Sequence, residues 1–245
     1  MSALEIVAVP ILANGEKLLR HFRSIDAPLK RYFIVDNSCG TDESVTNAID
    51  EIWDTKPDHI DEVQVMTNTQ NMGFAMSVND IVRHNFDCKY WIVSNYDLYL
   101  EPGEWQRILD HADQFEYGAN FGSGIDLFGL FLWTNAVVKN VGLMDENFYP
   151  AYFDDNDYRY RCQLKGCLMD HFPVKYRHET SSTINDNPHY KRKNSETFQK
   201  LAQYYITKWG GVPGSEKYTR PFNNADLVEE YWKLDPARND ELRWL

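Results

Sequence analysis

Residues 6–38 read IVAVPILANGEKLLRHFRSIDAPLKRYFIVDNS, and this stretch decides the fold class. Ile6–Leu12 is an uninterrupted apolar run of strand length, the pattern of a strand buried on both faces. Glu16–Ser24 follows with Leu18, Leu19 and Phe22 at helical spacing, and Tyr32–Val35 is a second strand. The alternation continues outward. Thr41-Asp42-Glu43 supplies a capping residue and first-turn acids for another helix. Val63–Met66 predicts a third strand, Phe74–Phe86 a helix with Ala75, Val78, Val82 and Phe86 on one face, and Tyr90–Val93 a fourth strand. Strands alternating with helices need right-handed crossovers, hence an α/β fold with a mainly parallel central sheet flanked by helices. In such sheets the ligand crevice lies beyond the carboxyl ends of the strands. That rule points to Pro10–Asn14, Asp36–Ser38, Asn68–Gly73 and Ser94–Asp97, all polar or glycine-containing.

After Pro102-Gly103 the rhythm changes. Glu104–Phe115 predicts a helix, Asn120–Trp133 is apolar and strand-like, and Thr134–Val141 is a short helix. Asp154–Lys165 is helical and stops at Gly166 as a C-cap. Cys167–His178 fits one or two strands broken by Pro173, and Tyr190–Trp209 is a helix stopped by Gly210-Gly211-Val212-Pro213. Without a repeat or a linker, residues 1–245 read as one domain. Residues 1–100 form its first half, with the regular alternation, and 101–222 its second. The tail 223–245 carries Trp232 and Trp244 and is expected to pack on the domain.

Composition removes several classes. With 25 basic and 37 acidic side chains the net charge is −12, which disfavours a broad grip on nucleic acid or on an anionic bilayer. Lys191-Arg192-Lys193 is short and reads as the solvated start of a helix. No apolar run approaches the roughly 18 residues of a membrane span, and the start MSALEIVAVP lacks the pattern of a signal peptide. Cys39, Cys88, Cys162 and Cys167 show no metal-ligand spacing and fit buried thiols in a reducing compartment, so a cytoplasmic or host-cytosolic location is expected.

Three segments carry candidate chemistry. Asn95-Tyr96-Asp97 follows a buried strand, where a rigidly held carboxylate suits a hard divalent cation; on spacing alone a plain turn before Pro102-Gly103 explains it better. Asp154, Asp155 and Asp157 crowd three carboxylates into four residues, which raises the proton affinity of at least one and suits a general base. The same acids also fit a helix cap, and Asp157 with Arg161 fits an intrahelical ion pair. His178, at a predicted strand end, is a candidate metal ligand and equally an ordinary surface or core histidine.

The ordered series Ile6–Leu12, Phe33–Ser38, Asn71–Ala75 with Asn79, Ser94–Asp97, Val141–Phe148 and Phe153–Arg161 resembles the family 2 glycosyltransferases of the GT-A fold, in their rhamnosyltransferase-like branch. Lys208-Trp209-Gly210-Gly211 and Arg220-Pro221-Phe222 are similar to a closing signature of some members, so the resemblance spans about residues 5–222. It implies an inverting, metal-dependent transferase of a hexosyl or deoxyhexosyl group. The donor is a nucleotide-sugar, a UDP-sugar first and a dTDP-sugar second, and the acceptor a hydroxyl of a glycan or other molecule. By the same resemblance Asp36, lined by Pro10 and Ser38, holds the base or ribose, and Asn71, Gly73, Asn79 and Asn95 lie along the nucleotide. Asp97 and His178 hold Mn²⁺ or Mg²⁺, and Asp155 is the general base supported by Asp154 and Asp157. Two positions depart from the pattern: Asn95 stands where many members carry Asp, and Asp154 where Glu is usual. The QxxRW motif of processive synthases is absent, which favours single transfer. The alternatives are a non-catalytic nucleotide-sugar-binding module and a nucleotidyltransferase, the latter lacking its glycine-rich basic loop at Pro10–Gly15. Trp133, Phe148, Tyr149 and Tyr152 are candidates to stack on sugar faces or to pack in the core.

Overall fold

A computed structural model describes residues 2–122, 128–179 and 188–227. The expected alternation is present as β1 (Leu4–Ile11), α1 (Gly15–Arg23), β2 (Leu29–Asp36), α2 (Glu43–Asp54), β3 (Ile60–Thr67), α3 (Gly73–His84) and β4 (Tyr90–Ser94). Then come β5 (Leu98–Leu100), α4 (Glu104–Leu109), β6 (Gly118–Asn120), β7 (Leu130–Thr134), α5 (Asn135–Val141), α6 (Asp154–Lys165), β8 (Asp170–His171), β9 (Tyr176–His178) and α7 (Pro188–Trp209). Among the described residues the main sheet has seven strands in the order β3-β2-β1-β4-β7-β6-β8, and β7 alone runs against the others. The carboxyl ends of β1 to β4 therefore share one edge.

Both faces of the central strands β1, β4 and β7 are covered, which is why they read as near-continuous apolar runs. Val7, Val9 and Ile11 of β1 pack with Leu18 and Phe22 of α1 and Val45 and Ile49 of α2. Ile6 and Ala8 pack on the other face, with Val78 and Ile81 of α3, Val137 of α5 and Tyr158 of α6. At roughly 1.5–3 kcal/mol for each large apolar side chain removed from water, these two layers dominate the stability of the fold. A third cluster sets Leu201, Tyr205 and Trp209 of α7 against Phe148.

Local chemistry sets the helix ends. Asp42 caps α2 by accepting from the Ser44 and Val45 amides, and Gly166 ends α6 in the left-handed conformation. Three expectations are corrected. The helix at 74–86 stops at His84: Asn85 turns back to hydrogen-bond Ile81 O, and Phe86 swings out to 80% exposure. The helix at 104–115 stops at Leu109, and a 3-10 turn at Ala112–Gln114 carries Phe115 onto Phe121 and Phe172. The strand-like region 120–133 separates into β6 and β7, with residues 123–127 outside the described part. Trp232, Trp244 and the packing expected of the tail also lie outside the described residues, as do residues 180–183. Among the described residues no helix is long and apolar enough to cross a membrane.

Asn79 ties the first half of the chain to the second. Fully buried on α3, it donates to Met144 O and Glu146 Oε1, both at 2.9 Å, and accepts the Met144 N–H at 2.8 Å. Arg83, one turn on, donates to the same Glu146 oxygen at 2.8 Å. Asn79 was expected along the nucleotide; the structure instead commits its amide to this internal bracket. Asn79→Ala leaves the Met144 amide and carbonyl enclosed without their partner. It is expected to lower the unfolding free energy by about 2 kcal/mol, read from urea unfolding at neutral pH. A change within experimental error would show that the bracket contributes nothing.

Candidate active site

The polar rim is built loop by loop along the carboxyl edge. Asp36, the last residue of β2, is 2% exposed; its Oδ1 accepts from the Ser38 amide at 2.8 Å and the Ser38 hydroxyl at 2.6 Å. The Gly40 amide donates to the other oxygen at 3.3 Å. Pro10 lies beside this loop, in register with Val35 on β2. Asn37, inside the predicted Asp36–Ser38 rim segment but given no role of its own there, is the organiser: it donates to the Ser77 hydroxyl and accepts from the Asn68 side chain and the Met72 amide. It thereby fastens the end of β2 to the loop leading into α3.

That loop meets the chain again at residues 149–150. Asn71 Oδ1 accepts the Gly73 amide at 2.9 Å, and Asn71 O accepts the Tyr149 hydroxyl at 3.0 Å. Gly73 has φ +74°, and a Cβ there would lie 2.8 Å from both Pro150 O and the Tyr149 ring. The Phe74 amide donates to Pro150 O at 2.8 Å. Only glycine permits this approach.

Beyond β4, Asn95 donates its backbone N–H to Gly129 O at 2.8 Å, leaving its side-chain amide for the rim, and β5 pairs antiparallel with β9, Leu98 opposite His178. This ladder, too short to show a periodicity in the sequence, brings His178 to the rim. His178 Nε2 lies 3.2 Å from Asp97 Oδ1, and the Asn95 amide nitrogen is 3.5 Å from the same ring nitrogen. The Glu179 amide donates to Asp97 O at 3.0 Å, while the Glu179 carboxylate takes Lys17, Arg20 and the Tyr99 hydroxyl. Hydrogen bonds from Tyr99 and Lys17 hold that carboxyl below its ordinary range. His21, buried beneath this region, is driven by desolvation down to about 3 against the pull of Asp97, so it is neutral. Among the described residues no three His, Cys, Asp or Glu side chains gather as a complete metal cage. One carboxylate and one imidazole fit a cation that takes its remaining ligands from water and substrate phosphates.

The third part is the first turn of α6. Tyr152 (φ 84°) and Phe153 (φ 65°) are both left-handed, a strain of about 1–3 kcal/mol each. Their rings are held by Phe198 and, for Phe153, also by Tyr205 of α7. The three acids that follow have different fates. Asp154 is 4% exposed and its Oδ2 has no hydrogen-bond partner; burial, then the charge of Asp155, pushes its carboxyl up to about 8. Asp155 is half-buried and accepts the Asn156 amide at 2.7 Å; burial raises its carboxyl as well. Asp157 is fully enclosed. Burial pushes it up, but Lys208 and Arg161 outweigh this and hold it below its ordinary value. Arg161 Nε and Trp209 Nε1 both donate to it at 2.8 Å, and Lys208 Nζ contacts it too. The ion-pair reading of Asp157 therefore holds, and its carboxylate is committed to the interior. Trp133, stacked on Tyr158 at 4.1 Å, and Phe148, packed on Tyr204, are core residues.

A mainly parallel sheet with one reversed strand and this rim on its carboxyl edge is the GT-A fold of the glycosyltransferases. The chain is similar to TarS of S. aureus (residues 1–349), with a TM-score of 0.52 and 14% identity over 94% of this chain and 68% of that one. It is similar to GalNAc-T7, solved with UDP, GalNAc and Mn²⁺, with a TM-score of 0.51 and 10% identity over 84% of this chain and 50% of that one. A galactofuranosyl glycosyltransferase of Leishmania donovani is 27% identical over 147 residues, covering 50% of this chain and 33% of the relative. The chain thus spans about a third of the length of that curated relative. No family model matches it.

The Asp154 carboxyl titrates higher in the fold than in the unfolded chain, so the unfolded state releases its proton first. Its contribution to stability is full below about pH 4 and is lost as the pH rises towards about 8. Asp154→Asn removes that loss. Its melting temperature relative to wild type is expected to climb between about pH 5 and pH 8 in calorimetric scans, whereas a pH-independent difference would place Asp154 in the ordinary carboxylate range.

Proposed function

We propose that the protein is an inverting, divalent-cation-dependent glycosyltransferase, moving one hexosyl or deoxyhexosyl group from a nucleotide-sugar to a hydroxyl of a glycan or other acceptor. A UDP-sugar is the favoured donor and a dTDP-sugar the alternative. The observation that carries this reading is the division of carboxylates along one sheet edge. Asp97 pairs with His178 beyond β4, and Asp155 stands half-buried at the start of a helix whose entry strap is seated on the Asn71–Gly73 loop. The UDP and Mn²⁺ of the GalNAc-T7 structure support the choice of nucleotide and cation.

Asp36, with Ser38 and Pro10 beside it, receives the base or ribose, and Asn71, Gly73 and Asn95 border the nucleotide. Asp97 and His178 hold Mn²⁺ or Mg²⁺, which when bound neutralises charge on the departing diphosphate. Asp155 takes the proton of the acceptor hydroxyl as that oxygen attacks C1 from the face opposite the diphosphate. The new C1–O bond forms as the C1–O(phosphate) bond breaks, through an oxocarbenium-like transition state, and the anomeric centre inverts. Asp154 supports Asp155 from the interior. Within this reading the chain is one domain on the rhamnosyltransferase-like branch of family 2. All four cysteines are free thiols, which supports a reducing, cytoplasmic setting.

UDP binding measured calorimetrically in MnCl₂ and in EDTA tests the cation, and Asp97→Ala is expected to erase the difference. A thermal-shift panel of UDP- and dTDP-sugars identifies the donor. With that donor, Asp155→Asn is expected to reduce turnover by about 10²-fold or more while UDP affinity stays within about twofold. Turnover at the wild-type rate would remove Asp155 as the base, and equal UDP affinity with and without metal would remove the cation.

A further inference from the structure

Lys208 is a lysine with no exposed surface, a placement that demands partners. Its Nζ lies 2.8 Å from Asp145 Oδ2, touches Asp157 Oδ1, and sits over the rings of Phe148 and Trp209 at 5.4 and 5.2 Å. Arg161 completes the group, bonding Asp157 through Nε and the Val141 and Leu143 carbonyls through its two Nη atoms. Asp145 is saturated by the Tyr204 hydroxyl and by the amide and side chain of Asn147. Two carboxylates and two cations thus form a balanced buried set joining α7, α6 and the turn at 142–147.

We propose that Lys208 is a positioning residue for the site: it draws Asp157 into this balanced set and so leaves Asp155 as the carboxylate of the turn that acts in the crevice as an anion. The inference rests on the reading of Asp155 as the base. Three adjacent carboxylates repel one another, and the structure gives buried cation partners to Asp157, while Asp155 has the exposed Arg159 acting on it. Among the described residues Asp154 has no cation partner and one buried oxygen without a hydrogen-bond partner, so an anion there is opposed by desolvation and by Asp155 and Asp157. A proton on Asp154 relieves that repulsion and lets Asp155 ionise. The charged groups bearing on the turn are Asp154, Asp155, Asp157, Arg159 and Arg161 on α6, Lys208 from α7, and Asp145 through Lys208. Loss of the Lys208 charge leaves the set one negative charge in excess, two residues from Asp155.

The test is a ¹³C-carboxyl NMR titration of the full chain labelled at aspartate, with resonances assigned from Asp154→Asn and Asp155→Asn. In wild type, Asp154 is expected to remain protonated at pH 7 with Asp155 ionised. Lys208→Met should raise the Asp155 midpoint by about one pH unit, Asp157→Asn should lower it, and the two together should restore it. The double substitution is charge-balanced and keeps the test decisive if Lys208→Met fails to fold: Asp157→Asn alone must lower the midpoint and the pair must return it. An ordinary Asp154 titration, or midpoints that ignore both substitutions, overturns the proposal. The titration uses no donor, so its failure is separate from a failure of UDP binding or turnover, which bears on the glycosyltransferase reading alone.

Discussion

The contact on which the site depends is the approach of Pro150 to Gly73. A backbone hydrogen bond from Phe74 to Pro150 O, with the Tyr149 ring against the Gly73 Cα, seats the strap leading into α6 on the N-terminus of α3. The first turn of α6 is placed by it, because that turn follows the strap directly. The end of β2 is tied to the other flank of the same loop by Asn37. Two loops distant in sequence are thus fixed relative to one another through backbone groups, which move less than side chains. A side chain at position 73 would separate them.

The alternating pattern in the first hundred residues made the parallel sheet readable, because a strand covered on both faces has nowhere to place polar residues. The crevice followed from that sheet by geometry. The pairing of His178 with Asp97 did not, since β5 and β9 have three residues each and no period to detect. The resemblance placed Asn79 along the nucleotide, six residues past Gly73. That spacing turns its side chain inward, onto the 144–146 turn. Lys208 was visible only as part of a Lys-Trp-Gly-Gly signature. Its burial depends on Asp145 and Asp157, more than fifty residues earlier, and spacing along the chain carries no information about that.

Strain and charge at the start of α6 point the same way. Two consecutive bulky residues in the left-handed region persist because Phe198 and Tyr205 hold their rings. A relaxed entry would have served a helix whose first turn had only to be capped. The strained entry leads directly into Asp154 and Asp155, and Lys208 and Arg161 hold Asp157 two residues further on.

The shorter acid at position 154 fits this arrangement. A glutamate carries its carboxylate one methylene further from the backbone, where it can reach donors beyond the turn. Aspartate keeps its carboxyl against the helix end, enclosed, with one oxygen that nothing satisfies. Helix N-termini ordinarily favour the anion, by about 0.3–1 kcal/mol at exposed sites. Here the carboxyl is shifted the opposite way, so burial and the adjacent acids outweigh the helix dipole. The turn consequently holds acids of three kinds: one enclosed and pushed towards its neutral form, one kept charged by cations, and one, Asp155, half-buried between them in sequence. A base needs that third environment, because a carboxylate fully matched by cations is too weak to take a hydroxyl proton and one fully enclosed does not ionise at neutral pH.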